Sequence, residues 1–378
     1  MAITLEMKTW MPGTRPGMTC LFYRIRHPPN MTPPALPAAL RAALDQKAQG
    51  LSRSDAAVRA AAISQTYRSG GGSNAIRNEP DALAYALARM PATYAAVVAC
   101  FNALREIRPQ FTPVSLLDLG SGPGTATWAA AQAFESLDAF SAIDANPALR
   151  SLALDLAADE SRLRRLDYMQ SDALTGLREK SVSADLVVAS YVIGEMNAER
   201  QAAFADLTWA ATSDTLLAVE PGTPAGYRRI IDLRRRLIGQ GAHVVAPCPH
   251  DRECPLMAFT SEASPASPED IASKQKNTSD WCHFVQRLPR SRAHKQIKSA
   301  ELPFEDEKFS YVALTRTPAL QRRPRVLAPP LVTKAGMRIK LCQRDGCADV
   351  VTIPRRDKAA YARMRRISWG DTVVPTEP

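Results

Sequence analysis

Residues 114–124 read Val-Ser-Leu-Leu-Asp-Leu-Gly-Ser-Gly-Pro-Gly, an apolar run that ends in three alternating glycines. Such a run is a strand buried on both faces, of the kind that builds parallel sheets. The glycines let the backbone turn tightly at the strand's end and approach a ligand closely. A helical pattern, Ala126–Leu137, follows. Strand, glycine loop and helix in that order open a nucleotide- or nucleoside-binding α/β fold.

The pattern then repeats. Strands are expected at Phe140–Asp144, Leu166–Gln170, Ala184–Ser190 and Thr215–Glu220, with helices at Ala148–Ala158, Ala198–Ala211 and Gly226–Ile238. Five strands alternating with helices imply a doubly wound parallel sheet. Two further strand candidates, His283–Leu288 and Phe309–Thr315, are read as the sixth strand and the antiparallel seventh of a class I, Rossmann-like methyltransferase sheet.

The loop itself distinguishes between ligands. A glycine triplet also serves dinucleotides, so it is weak evidence alone. Asp118, at the strand's end, suits a ligand with a cationic amino group better than a pyrophosphate. Asp144 ends the next strand, where a carboxylate can accept ribose hydroxyls. Asp172 follows the third strand, within reach of an adenine amino group. Together they point to S-adenosylmethionine, with Asp118, Gly120, Ser121, Gly122, Gly124, Asp144 and Asp172 as the binding set. The fourth strand exits into Tyr191-Val-Ile-Gly-Glu195-Met, and Tyr191 and Glu195 are the candidates on the acceptor side. No Asn-Pro-Pro-Tyr or Asp-Pro-Pro-Tyr motif of base-amino methyltransferases is present. Methyl transfer needs little beyond positioning, so the acceptor stays unidentified.

The sequence divides into four parts. Residues 1–32 read as a leader, with Met31 as an alternative start. Residues 33–110 form a helical, alanine-rich N-terminal domain with no catalytic constellation, and Pro91 is a kink or boundary in its last helix. Residues 111–318 are the cofactor-binding domain, carrying a cysteine-rich insertion at 241–282 that includes a polar Ser/Pro loop, Thr260–Thr278. Residues 319–378 are a basic, β-rich extension. No run of 18 apolar residues suggests a membrane span, and no membrane partner is expected. A monomer is favoured.

Five of seven cysteines lie after residue 240, and an odd count does not suit a disulfide framework. Cys248-Pro-His-Asp-Arg-Glu-Cys254-Pro, Cys282 and Cys342 can gather four thiolates around zinc or an iron–sulfur cluster, and the spacing does not choose between them. Cys342, in a strand-like stretch, is preferred to Cys347 in a turn. Cys20 and Cys100 read as isolated thiols. His250 and His283 are rival ligands read instead as exposed polar residues. Charge is uneven as well. From Arg287 to Pro378 there are 20 Lys/Arg against 9 Asp/Glu, a net of +11, while the chain as a whole carries +10. A basic end on a near-neutral body suits a polyanion such as nucleic acid, and Tyr311, Tyr361 and Trp369 are interleaved with the charges.

Several stretches together resemble a known family, the methyltransferase-like proteins associated with the small subunit of the mitochondrial ribosome. They are Tyr85–Tyr94, Leu117–Thr125, Glu220–Gly226, Ala246–His250, Asp280–Phe284 and Trp369–Asp371. The resemblance covers about residues 33–372. It implies a [4Fe–4S] cluster on Cys248, Cys254, Cys282 and Cys342, and a role in small-subunit assembly and translation with rRNA as partner. The compact chain looks like a bacterial-type member, which implies a cytoplasmic location, or a mitochondrial one in a eukaryote. Methylation of rRNA or a ribosomal protein, non-catalytic clamping of rRNA, and methylation of a small metabolite are the competing functions.

Overall fold

The computed structural model describes residues 21–24, 31–179, 182–257 and 280–376. A short strand β1 (Leu21–Arg24) precedes three helices, α1 (Ala38–Lys47), α2 (Arg53–Arg68) and α3 (Glu79–Ile107). The alternating section is β2 (Ser115–Leu119), α4 (Thr125–Ala133), β3 (Ala139–Asp144), α5 (Pro147–Ala157), β4 (Asp167–Gln170), α6 (Ala173–Glu179), β5 (Ala184–Ser190), α7 (Ala198–Ala210), β6 (Thr212–Pro221), α8 (Pro224–Ile238) and β7 (His243–Ala246). It closes with β8 (Phe284–Pro289), α9 (Arg292–Ile297) and β9 (Phe304–Thr315). The C-terminal unit holds β10 (Arg325–Val326), β11 (Leu331–Val332), β12 (Gly336–Cys342), β13 (Ala348–Pro354), α10 (Lys358–Met364) and β14 (Val373–Thr376).

The main sheet runs β4-β3-β2-β5-β6-β9-β7, with β9 antiparallel to its neighbours. This is the strand order of a class I methyltransferase fold. The expected assignment of its sixth strand needs correction. That position belongs to β7, which pairs with β9 through Val244 and Ala246. β8 lies on the same edge of β9 further along, from Phe284 opposite Phe309 to Pro289 opposite Phe304. One edge column is therefore shared by two segments. The chain leaves it at Pro247 and returns at Trp281-Cys282. β7 escapes sequence reading because four residues followed by a proline are too short to stand out, whereas β8 has an ordinary strand's length.

The helical N-terminal section is not a separate domain but one layer of the sandwich. Leu83, Met90, Val97, Phe101 and Leu104 of α3 share one core with Leu116 of β2, Val188 of β5 and Leu217 of β6. Trp128 and Leu149 complete it, and α6, α7 and α8 bury the other face through Leu174, Phe204, Trp209 and Leu233. Pro91 sits inside α3 and does not end it, and the Asn78 side chain caps the helix by accepting from Asp81 N at 3.0 Å. α3 is long and apolar enough to cross a bilayer, but most of it is buried within this core.

The C-terminal unit has its own small core of Val326, Met337, Ile339, Leu341, Ile353 and Met364. Within the expected leader, β1 pairs antiparallel with β14 from Leu21 opposite Thr376 to Arg24 opposite Val373. The rest of that leader before Met31, and the Thr260–Thr278 loop, lie outside the described residues.

Candidate functional site

The C-terminal ends of β2, β3 and β5 open on a cleft of about 160 Å³. β2 lies between β3 and β5 at the topological switch point, where open α/β sheets bind ligands. Gly120, Ser121 and Gly122 form its floor. Gly120 and Gly122 stand at φ +64° and +55°, and a Cβ on Gly120 would meet Val192 Cγ2 at 2.4 Å. Only glycine fits there.

The expected binding residues divide. Asp144 and Asp172 line the cleft with Gly120, Ser121 and Gly122, whereas Asp118 and Gly124 do not. Asp118 is fully buried beneath the loop. Its Oδ2 accepts from Ser121 Oγ at 2.9 Å, Thr127 N at 3.1 Å and Thr127 Oγ1 at 2.8 Å, which ties the loop to α4. Burial pushes its carboxyl up to about 6, and Oδ1 has no partner among the described residues. Asp144 accepts from Gly122 N at 2.9 Å and Asn146 N at 2.8 Å, and burial raises its pKa. Asp172 caps α6 and pairs with Arg200 at 2.6 Å on the cleft's rim.

On the acceptor side, Tyr191 stands at φ +60°, a conformation that a bulky residue rarely adopts. Its hydroxyl donates to Glu307 Oε1 at 3.0 Å. Glu195 opens onto the cleft. Partial burial, with Asp144 nearby, pushes its carboxyl up to about 7. The loop between these two is held from below. Glu220, fully buried, accepts from Ile193 N at 3.0 Å and pairs with Arg229 at 2.7 Å.

The helical section, which the sequence reading left without a catalytic constellation, contributes to the wall of the cleft. Tyr67 of α2, Ser73 of the following turn, and Tyr85, Arg89 and Thr93 of α3 all line the cleft. Tyr67 and Tyr85 stack at 5.8 Å. Asn146, which caps α5, donates to Ser73 O and Ile76 O and fastens that turn to the sheet. The signal available in the sequence was Tyr85, Arg89 and Thr93 at intervals of four on a helix otherwise rich in alanine.

The four expected cysteines do meet. Cys248, Cys254, Cys282 and Cys342 line one cavity with Pro247, Leu256, Arg325 and Leu327. Cys347 is exposed and does not line it; Cys100 is buried elsewhere. Tyr227 of α8 donates to Cys254 Sγ at 3.1 Å. His250, expected to be exposed, is buried with Nε2 3.4 Å from Cys342 Sγ. His283 is half-buried, stacked on Trp281 and edge-on to Trp369. Burial raises the pKa of Cys248, Cys282 and Cys342. Among the described residues, no three His, Cys, Asp or Glu side chains are placed to hold a single metal ion. Arg234 and Arg325 are both almost fully buried beside this cavity. Arg234 donates to His250 O and Arg252 O; Arg325 donates to Pro247 O and Gly370 O. Neither pairs with a carboxylate among the described residues.

Of the interleaved aromatics, Tyr311 lies in the core, Tyr361 is half-buried with the Arg355 guanidinium 5.5 Å from its ring centre, and Trp369 packs against His283. The basic side chains are more telling. Arg356, Lys358, Arg363 and Arg365, in and around α10, are exposed and form no ion pair among the described residues.

With both sites in place, comparison with known proteins is decisive. A model of the family described as mitochondrial small ribosomal subunit Rsm22 matches residues 79–374. The chain belongs to the Rsm22 family. Its relatives include the human mitochondrial ribosome assembly protein METTL17, 29% identical over 314 residues that make up 78% of this chain and 63% of that one. An Rsm22-cox11 tandem protein, mitochondrial, of Schizosaccharomyces pombe is 25% identical over 333 residues, which are 78% of this chain and 43% of that one. The chain thus spans less than two thirds of either relative's length. Among solved structures, magnesium protoporphyrin IX methyltransferase from Synechocystis PCC 6803 aligns with a TM-score of 0.37 at 12% identity, over 70% of this chain and 97% of that one. At that level the fold rests on the strand order, not on the superposition. Rsm22 membership bears out the resemblance noted in the sequence. The named relatives are mitochondrial, and nothing in them supports the cytoplasmic, bacterial-type location.

Proposed function

We propose that this Rsm22-family protein binds S-adenosylmethionine in the cleft, holds a [4Fe–4S] cluster on Cys248, Cys254, Cys282 and Cys342, and serves small-ribosomal-subunit assembly by contacting rRNA. The observation that carries this reading is the family match over residues 79–374, which spans the cysteine cavity and all of the cleft's lining but Tyr67 and Ser73.

The donor set supports the cofactor. Gly120 and Gly122 would bring backbone close to the ligand, Asp144 would accept from a ribose diol with the lone pairs left over from its two backbone bonds, and Asp172 would hold the adenine amino group. When bound, this cofactor supplies an electrophilic methyl group on a sulfonium sulfur.

Four thiols lining one cavity support a thiolate-bound metal centre, and the family resemblance makes that centre a [4Fe–4S] cluster, with zinc as the alternative. Two buried guanidinium groups without carboxylate partners suit an anionic occupant, since buried charge is costly unless compensated.

Exposed, unpaired cations around α10 support the rRNA contact. Anaerobic isolation tests the whole reading. The expected product is a brown protein with stoichiometric iron and sulfide that carries small-subunit RNA, releasing it steeply as salt rises. Stoichiometric zinc would overturn the cluster, and RNA binding insensitive to salt would overturn the rRNA contact.

A second reading, methyl transfer to a subunit component, is favoured by Glu195, a carboxyl near neutrality that faces the cleft and can take a proton from an acceptor. Subunit methylation maps from cells with the gene, without it and with Glu195→Gln test it: identical maps with and without the gene leave assembly alone, and a map that Glu195→Gln leaves unchanged removes Glu195 from the chemistry.

A further inference from the structure

α3 is buried around most of its circumference between Asp81 and Leu104. Tyr85, Arg89 and Thr93 break that pattern, each only partly buried and each lining the cleft. Positions four apart share one helix face. The row therefore presents an aromatic ring, a guanidinium and a hydroxyl to the ligand space.

Arg89 is the informative member. Its side chain keeps 33% of its surface open, and its one carboxylate partner among the described residues is Glu307, at 3.2 Å from Nη2 to Oε1. The same Glu307 oxygen accepts from the Tyr191 hydroxyl. Glu307 thus fixes the guanidinium by one nitrogen. A guanidinium carries five N–H donors, and among the described residues Arg89 has no other hydrogen-bond acceptor. The rest of the cleft has the opposite sign. Asp144, Asp172 and Glu195 line it, and the second lining arginine, Arg200, is already paired with Asp172 at the rim. Among the described residues, an anionic group on a bound ligand has one unengaged cation inside this cleft to meet.

We infer that Arg89 binds the α-carboxylate of the cleft's ligand, making α3 the wall that recognises an amino-acid end. This rests on the S-adenosylmethionine reading and extends it to residues outside the glycine loop. Planar, bidentate pairing of guanidinium with carboxylate is the strongest contact available to such a group. The carboxylates across the cleft then face the ligand's hydroxyls and its positive sulfonium.

Calorimetric titration with three ligands tests the assignment: S-adenosylmethionine, its decarboxylated form, and 5′-methylthioadenosine, which lacks the whole amino-acid end. Wild type is expected to bind S-adenosylmethionine about 10- to 100-fold more tightly than the decarboxylated form, as a charged hydrogen-bonded pair implies. Arg89→Ala is expected to lose that preference while holding methylthioadenosine as wild type does, and Arg89→Lys to recover part of it. Equal affinity of wild type for the first two ligands overturns the assignment without any variant. Equal weakening of all three by Arg89→Ala overturns it as well, because that is the mark of a structural role. If wild type binds none of the three, the cofactor reading falls and takes this assignment with it.

Discussion

Gly120 shapes the cleft by lacking a side chain. At φ +64° an added Cβ would stand 2.4 Å from one Val192 methyl and 2.6 Å from Val192 Cβ. Val192 follows Tyr191, itself in the left-handed region, so the loop has little room to yield. Gly120→Ala is expected to cost about 1–3 kcal/mol and to abolish cofactor binding; denaturant unfolding and calorimetry check it, and an unchanged midpoint refutes it. Glu195 supplies a pH signature. Its carboxyl rises from 4.5 to about 7, chiefly through burial. The folded state then holds that proton more firmly than the unfolded one, so this group's stabilisation is present below pH 4.5 and is lost as pH rises to about 7. Ionised Glu195 attracts a sulfonium cation. Affinity for S-adenosylmethionine should therefore climb through pH 7, more than affinity for uncharged-sulfur S-adenosylhomocysteine, and Glu195→Gln should flatten the difference. The cysteines were legible at this scale because their residue type and clustering announce a ligand set. Arg89 was not, because a helix reading counts apolar positions and cannot tell which polar row faces inward.

At the scale of elements, α8 links the two sites. Tyr227 reaches Cys254, Arg229 pairs with the glutamate that holds the Tyr191–Met196 loop, and Arg234 braces the cysteine segment through two carbonyls. Arg229→Ala leaves Glu220 buried with an uncompensated charge, a loss of about 3 kcal/mol. Glu220→Gln in the same chain should restore much of it, since the orphaned charge is what costs. Unfolding of the two single variants and the double measures this, and simple additivity would show that the pair does not couple. Strands β2, β3, β5 and β6 were readable because each carries an apolar run closed by a turn and followed by a helix, and β4 because its short stretch stands in the same alternation. The sixth position was misread because it is made from two segments separated by the cysteine stretch. Pairing between β7, β8 and the long β9 depends on contacts distant in sequence, and local periodicity does not record them.

At the scale of the whole molecule, a near-neutral body carries a basic unit with its own core, and a set of polar and apolar contacts joins them. Arg325 bonds to Pro247 O, Lys340 pairs with Asp280, Thr372 donates to Glu106, and Cys342 reaches the cysteine cavity. Leu327 and Cys342 of the unit pack there with Tyr227, Ile231, Cys254 and Leu256 of the body. Three cysteines come from the body and one from the unit, so whatever the thiolates bind fastens the two together. Metal binding of this kind is folding energy. Cys342→Ser is therefore expected to loosen the C-terminal unit selectively. Limited proteolysis of the anaerobically prepared protein should cut the connection between Thr315 and Arg325, leaving a body that still binds S-adenosylmethionine. RNA affinity should fall with it, and its dependence on salt should become shallower, because the exposed cations of Arg356, Lys358, Arg363 and Arg365 are no longer held against the body's own contacts. Cys347→Ser, an exposed thiol outside the cavity, is the matched control and should change neither readout. Identical cleavage patterns for the two variants would mean that β1, β14 and the polar contacts hold the unit in place without the cysteines.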